Sequence, residues 1–232
     1  MERGSVTGTV LDVGSGTGVD SLRILAEFPS IRVVSLDLCE PMCRELEVNL
    51  RSTSAFGNPV SSRCTVVRGD VLAGSGEPSQ LKCLLPESER GRGYRAVVTS
   101  LTVHHFGHDE KQEFYRRAFS VLEPSGVLIN ADLFSYASAQ LSEDALRFDL
   151  EWMQRQFANP DRGFEEARTL SCQDRQRLCE LWTNHYRVHN RLESIEDCSG
   201  KVGQAGMLEV AGFKEVAVPY RHSLSGVLWA RK

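Results

Sequence analysis

Asp12, Gly14, Gly16 and Gly18 alternate within Leu11-Asp12-Val13-Gly14-Ser15-Gly16-Thr17-Gly18, between an apolar run and a helical pattern. Glycines at such a turn let the chain reverse tightly and bring backbone N–H groups against a ligand. The dinucleotide fingerprint G-x-G-x-x-G places a pyrophosphate there. In this chain the third glycine comes one residue early, and Val19 stands where that fingerprint requires Gly or Ala. Asp12 would also repel a diphosphate. A ligand with an amine and no phosphate suits the loop better.

Asp37 follows a second apolar run, Ile31 to Leu36. A carboxylate there can accept both hydroxyls of a vicinal diol, a role found with NAD as well as with other nucleosides. Asp70, in Gly69-Asp70-Val71 after a third run, can accept from an amine or cap a helix. His104, His105, His108 and Asp109 cluster further on. Successive histidine gaps of one and three, with His105 rather than Glu after His104, do not make the H-E-x-x-H of a zincin, so no metal is expected. A histidine there would instead suit proton abstraction from a hydroxyl, thiol or amine near neutral pH. In the later part of the chain Tyr136, His185 and Tyr186 are candidate substrate contacts. His185 and His189 share a helix face but lack the Glu of H-E-x-x-H. Trp152, Phe157, Trp182 and Tyr186 have the spacing of helix–helix packing, and Arg90, Arg92 and Arg95 that of a solvated loop.

The elements that must position these groups alternate. Strands are expected at Thr9–Val13, Ile31–Leu36, Cys64–Val67, Ala96–Val98 and Val127–Ala131, the last after a turn at Glu123–Gly126. Helices fall between them. Val19–Phe28 is stopped by Pro29. A second begins at Pro41 with Met42, Leu46 and Leu50 on one face, and Asp109–Val121 is capped by Asp109. Leu72–Arg95 reads as a surface excursion with a short helix at Gln80–Leu85. Strands alternating with helices mean βαβ crossovers, hence a doubly wound α/β fold with helices on both faces.

The alternation then breaks. A helix spans Gln140–Asn159, with Ser142, Glu143 and Asp144 as its N-terminus, and a second spans about Gln173–Asn190. The pair, within residues 136–200, is a candidate lid over the strand ends. A helix at Val202–Ala211 and two closing strands, Phe213–Val218 and Ser225–Ala230, predict an antiparallel hairpin at the sheet edge.

The chain has 232 residues, 41% hydrophobic and 25% charged, with a formal net charge of −4. At roughly 150 residues per domain this predicts one domain, residues 1–232, with the lid inserted in it. The mild negative charge disfavours nucleic acid as a partner. No stretch approaches the ~18–20 apolar residues of a membrane span, and the N-terminus lacks the apolar core of a signal peptide. Seven cysteines contain no C-x-x-C pair, so a reduced, cytoplasmic protein is expected.

Asp12-x-Gly14-x-Gly16-x-Gly18 resembles the first motif of class I S-adenosylmethionine-dependent methyltransferases, and later segments agree in order and spacing. Val97 to Phe106, with its paired histidines, resembles the fourth-strand motif of the small-molecule branch. Leu122-Glu123-Pro124-Ser125-Gly126 resembles the L-x-P-G-G before the fifth strand, with Ser125 departing from it. Leu208-x-x-Ala211-Gly212-Phe213 and the last residues match the late helix and closing hairpin. The resemblance covers Val10 to about Ala131 and Met207 to the end.

It implies a Rossmann-like, seven-stranded, mostly parallel sheet and S-adenosylmethionine as cofactor, with S-adenosylhomocysteine as product. Asp12, Gly14, Gly16 and Gly18 would hold the methionine part, Asp37 the ribose and Asp70 the adenine. Ser100 and Leu101 would line the sulfonium side; Ser15, Thr17, Leu38, Met42 and Val71 complete the cofactor set. His104 and His105 would lie at the methyl group as catalytic residues, facing a small-molecule acceptor. Family members usually carry helices before the first strand, which here starts by Thr9. That implies either that the inserted helices are the whole lid or that a further domain or subunit completes it. Asp132-Leu133-Phe134-Ser135-Tyr136 is also similar to carboxy-S-adenosylmethionine synthase, a tRNA-modification enzyme, and a non-catalytic cofactor-binding module is a third alternative. Val19 and Asp12 oppose a dinucleotide-dependent oxidoreductase.

Overall fold

A computed structural model of the chain describes residues 6–55, 57–73, 79–84, 87–88, 90–158, 171–188, 192–196 and 202–232. Seven strands form one sheet: β1 (Gly8–Val13), β2 (Ile31–Asp37), β3 (Cys64–Arg68), β4 (Tyr94–Ser100), β5 (Leu122–Leu133), β6 (Glu215–His222) and β7 (Ser225–Arg231). Their order is β3-β2-β1-β4-β5-β7-β6. The first five are parallel, and β7 runs antiparallel to both β5 and β6. The chain winds outward from β1 in one direction, then from β4 in the other. The crevice between their carboxyl ends is therefore where a ligand finds loops diverging on both sides.

The apolar runs became strands because β-branched residues fit a sheet buried on two faces. On one face Val10, Ile31 and Val33 pack with Leu25 of α1 (Val19–Glu27) and Leu46 and Leu50 of α2 (Glu40–Ser52). On the other, Leu11, Val34, Val97 and Leu128 pack with Phe114 and Ala118 of α4 (His108–Val121) and Met207 and Leu208 of α7 (Gln204–Ala211). Each such fully buried Val, Leu, Ile, Phe or Met side chain contributes about 1.5–3 kcal/mol. Between α1 and strands β4 and β5 a cavity of about 460 Å³ remains, lined by Val10, Ile24, Ala96, Val98, Val127 and Ile129 among others. The sheet is thus not sealed at that place by the described residues.

Several expected details change. Helix α3 covers Ser79–Cys83. The buried face of α2 is Cys43, Leu46 and Leu50, whereas Met42 is exposed; i, i+3, i+7 spacing from Cys43 makes the inner stripe and puts its neighbour outside. Asp109 is not the cap of α4. The helix starts one residue earlier, with Gly107 as N-cap and its N–H donating to Glu110 Oε2 at 2.6 Å. The turn at Glu123–Gly126 is absorbed into β5 as a bulge, since Tyr94 pairs with Leu122 but Ala96 pairs with Val127. Ser125 takes φ 64° there, the left-handed conformation that glycine adopts at least cost.

Helix α5 (Ala139–Ala158) begins a turn before Ser142, with Ser138 Oγ accepting the Leu141 N–H at 3.4 Å. It is followed by α6 (Cys172–Val188). The insertion has a clasped neck: Ser135 and Ser194 form a parallel bridge, and the Ser135 N–H donates to Glu193 O at 3.2 Å. Helix α5 leans on the β6–β7 turn, where Ser223 Oγ donates to Ala145 O at 3.2 Å. Because Ser225 pairs with Leu133, that turn lies at the carboxyl end of β5.

Candidate functional site

The glycine turn after β1 is pinned beneath and open above. Gly14 N–H and Ser15 N–H donate to Leu36 O at 2.8 and 3.3 Å, which holds the turn against the end of β2. Gly14 has φ 68°, and a Cβ there would lie 2.1 Å from Thr102 Oγ1, so only glycine lets the β1 and β4 loops meet. At Gly16, φ 53°, a Cβ would meet nothing within 4 Å. Next to it in sequence, Ser15 Oγ is a buried hydroxyl with no partner among the described residues, and α1, which starts at Val19, has no side-chain cap on its N-terminus. A buried hydroxyl without a partner is costly and suits a ligand's polar atom.

Asp37 ties the loops after β1 and β2. Its Oδ2 accepts the Gly16 N–H and its Oδ1 the Cys39 N–H, both at 2.7 Å. Each carboxylate oxygen has a second lone pair, which leaves acceptor capacity for a diol. Leu38 and Met42 are exposed beside it. Asp70, exposed at the end of β3, caps a turn: Oδ1 accepts the Leu72 N–H at 2.8 Å. Val71 is buried next to it. Asp12 lies elsewhere. It is 1% exposed and its Oδ2 accepts the Ser21 hydroxyl at 2.5 Å, under α1. Burial raises its pKa to about 6, opposed by the Ser21 hydrogen bond.

Beyond Ser100, Leu101 takes φ 48° with its side chain 56% exposed, while its N–H donates to Ala131 O at 3.0 Å. A left-handed leucine costs on the order of 1–2 kcal/mol, and such strain concentrates at functional loops. The turn then separates the two histidines. His104 is 3% exposed, with Nδ1 2.5 Å from Asp132 Oδ1 and its backbone N–H donating to Asp132 Oδ2 at 3.0 Å. A carboxylate oxygen only accepts, which places the hydrogen on Nδ1. His105 is exposed, its ring centroid 4.0 Å from that of His104. Asp132 was not among the expected site residues. Its signal was an Asp at the carboxyl end of β5, beside the strand whose following turn carries the histidine pair.

His108 pairs with Glu193, Nδ1 to Oε1 3.2 Å, at the neck of the insertion. Tyr136 stands against the β6–β7 turn: its hydroxyl donates to Ser223 O at 3.0 Å and the Arg221 guanidinium lies 4.5 Å over its ring. His185 and Tyr186 belong to α6, and their side chains, like those of Phe157 and Trp182, fall outside the described residues, as does His189. Among the described residues no helix is long and apolar enough to cross a membrane.

The sequence and the fold have counterparts among known proteins. Over 147 residues the chain is 26% identical to cyclopropane mycolic acid synthase MmaA2 of Mycobacterium bovis, covering 63% of this chain and 43% of that one. The chain thus spans less than half the length of the curated relatives it matches. In fold it is similar to S-adenosylmethionine-dependent methyltransferase SibL (TM-score 0.59, 18% identity, 97% of this chain and 50% of that one). It is also similar to human N-acetylserotonin methyltransferase solved in complex with SAM (TM-score 0.56, 13% identity, 98% of this chain and 48% of that one). Residues 10–126, half of the chain, match the family described as a methyltransferase domain. The chain therefore belongs to the methyltransferase-domain family and has the fold of the class I S-adenosylmethionine-dependent methyltransferases.

Proposed function

We propose that the chain binds S-adenosylmethionine across the carboxyl ends of β1 to β4 and methylates a small-molecule acceptor. The observation that carries this is the joined loop pair: Gly16, open to space, bonded through its N–H to Asp37 at the end of β2, beside the switch point of the sheet. Ser15 Oγ, Thr17 and the glycine backbone would hold the methionine end, Asp37 with Leu38 and Met42 the ribose, and Asp70 with Val71 the adenine. Ser100 and Leu101 would line the reacting side. Asp12, facing Ser21, acts as a positioning residue that braces β1 against α1.

When bound, the cofactor supplies a methyl group on a positively charged sulfur, which becomes neutral on transfer. The chain's own task is orientation and one proton. His105, at the open side, takes the proton that the acceptor's hydroxyl, thiol or amine loses as its bond to the methyl forms. His104, buried and fixed through Nδ1 by Asp132, holds the turn that presents His105. The insertion, residues 136–200, acts as lid; its clasped neck and its lean on the β6–β7 turn support a position at the end of the sheet where the acceptor would enter. The cysteines that are described stand as free thiols, which supports a cytoplasmic location.

Calorimetric titration with S-adenosylmethionine, S-adenosylhomocysteine and NAD tests the reading. Saturable binding of the first two, lost in Gly16→Val and Asp37→Ala, is the expected result. Binding of NAD alone would sink it.

A further inference from the structure

An exposed carboxylate on a loop discriminates between ligands only if the loop is held. Asp70 is such a group, and its turn is short: the Leu72 N–H donates to Asp70 Oδ1 at 2.8 Å and the Ala73 N–H to Asp70 O at 3.1 Å. The turn is held from below by a residue distant in sequence. Arg117 of α4 is 6% exposed, and its Nη1 donates to Val71 O at 2.8 Å and to Ala73 O at 2.9 Å. Its Nε donates to Glu113 Oε1 at 2.6 Å on the same helix.

A buried guanidinium is expensive to desolvate, and an apolar side chain would fill this place among Phe114, Ala118 and Val121 at less cost. What the guanidinium does that an apolar group could not is bind two carbonyls of the Asp70 turn, those of Val71 and Ala73, from a guanidinium oriented by Glu113. The other end of the turn is tied as well, since the Gly69 N–H donates to Asp37 O at 2.9 Å. Asp70 is therefore suspended between the Asp37 loop and α4, the helix that follows the His104–His105 turn.

We infer that Arg117 is a positioning residue for base recognition: it holds Asp70 where its carboxylate accepts the exocyclic amine of adenine and rejects a base with a carbonyl there. The inference rests on the cofactor reading above. Adenine offers a donor at that position and hypoxanthine an acceptor, so a fixed carboxylate separates the two and a loose one does not.

The test is calorimetric titration of wild type, Arg117→Met and Arg117→Lys with S-adenosylhomocysteine and S-inosylhomocysteine, with thermal unfolding to show that each variant folds. Wild type should prefer the adenosyl ligand by about 10- to 100-fold, the worth of one charge-assisted hydrogen bond. In Arg117→Met that preference should fall to about threefold, with affinity for the inosyl ligand unchanged, because the glycine turn and Asp37 still hold the rest. Arg117→Lys, able to reach one carbonyl, should fall between. Without ligand, the amides of Leu72 and Ala73 should exchange hydrogen faster in Arg117→Met. An unchanged preference, unchanged exchange, or equal loss of both ligands overturns the inference while leaving the cofactor reading intact. Wild type binding neither ligand overturns both.

Discussion

Asp37 Oδ2 accepts the N–H of Gly16 at 2.7 Å, so a side chain at the end of β2 is bonded to the most open point of the β1 turn. The loops proposed to meet the methionine end and the ribose of the cofactor are thereby one unit. Ordering them before a ligand arrives lowers the entropy cost of binding.

Replacing Asp37 should accordingly cost more than a single ligand contact. Asp37→Ala is expected to weaken S-adenosylhomocysteine binding by about 100-fold, as a charge-assisted bond and the preset turn are lost together. Asp37→Asn, which keeps one accepting oxygen, should lie between. Titration calorimetry reads both; equal affinities for Asn and Ala would show that the bond to Gly16 is immaterial.

The histidines should separate by phenotype. His105→Ala should slow methyl transfer by about 100-fold or more, in the range of lost general-base catalysis, with cofactor affinity unchanged. Asp132→Ala, which strips a buried acceptor from His104 and from the Leu133 N–H at 2.8 Å, should destabilise the fold by about 3 kcal/mol. Chemical denaturation checks the second, and a variant as stable as wild type would refute it.

Asp12 predicts a pH dependence. Its pKa rises from 3.8 to about 6 on folding because burial penalises the charge. The folded chain therefore binds the proton more tightly, and that stabilisation is whole below pH about 4 and lost as the pH rises through about 6. Asp12→Asn removes the dependence while keeping an acceptor for Ser21. Relative to wild type the variant should gain up to about 3 kcal/mol between pH 4 and pH 8, read from urea unfolding at both.

Leu101 should show a trade between stability and function. Leu101→Gly relieves φ 48° at a side chain already 56% exposed, so the fold should gain up to about 1 kcal/mol. The same change removes an apolar wall of the proposed site, and cofactor affinity should fall several-fold. A variant that is both more stable and as tightly binding would deny Leu101 a place in the site.

What was legible in the sequence was what neighbours along the chain impose on one another. The glycine turn, Asp37 at the end of a strand and the doubly wound order of elements all follow from backbone freedom and hydrophobic period within short windows. Where signals were local but competing, the outcome shifted by a residue or a turn. Gly107 with Glu110 displaced Asp109 as the start of α4, and Ser125 was folded into β5 as a bulge.

The sequence by itself determined the fold class, the place of the glycine loop after β1 and the residue types around it. Tertiary structure alone decided which way those residues face. Asp12 alternates onto the α1 side of the sheet and meets Ser21, and His104 turns inward to Asp132, 28 residues away, leaving His105 outside. Arg117 reaches Val71 O across 46 residues. Such pairings depend on strand order and sheet face, which are set by how the whole core closes rather than by any local window.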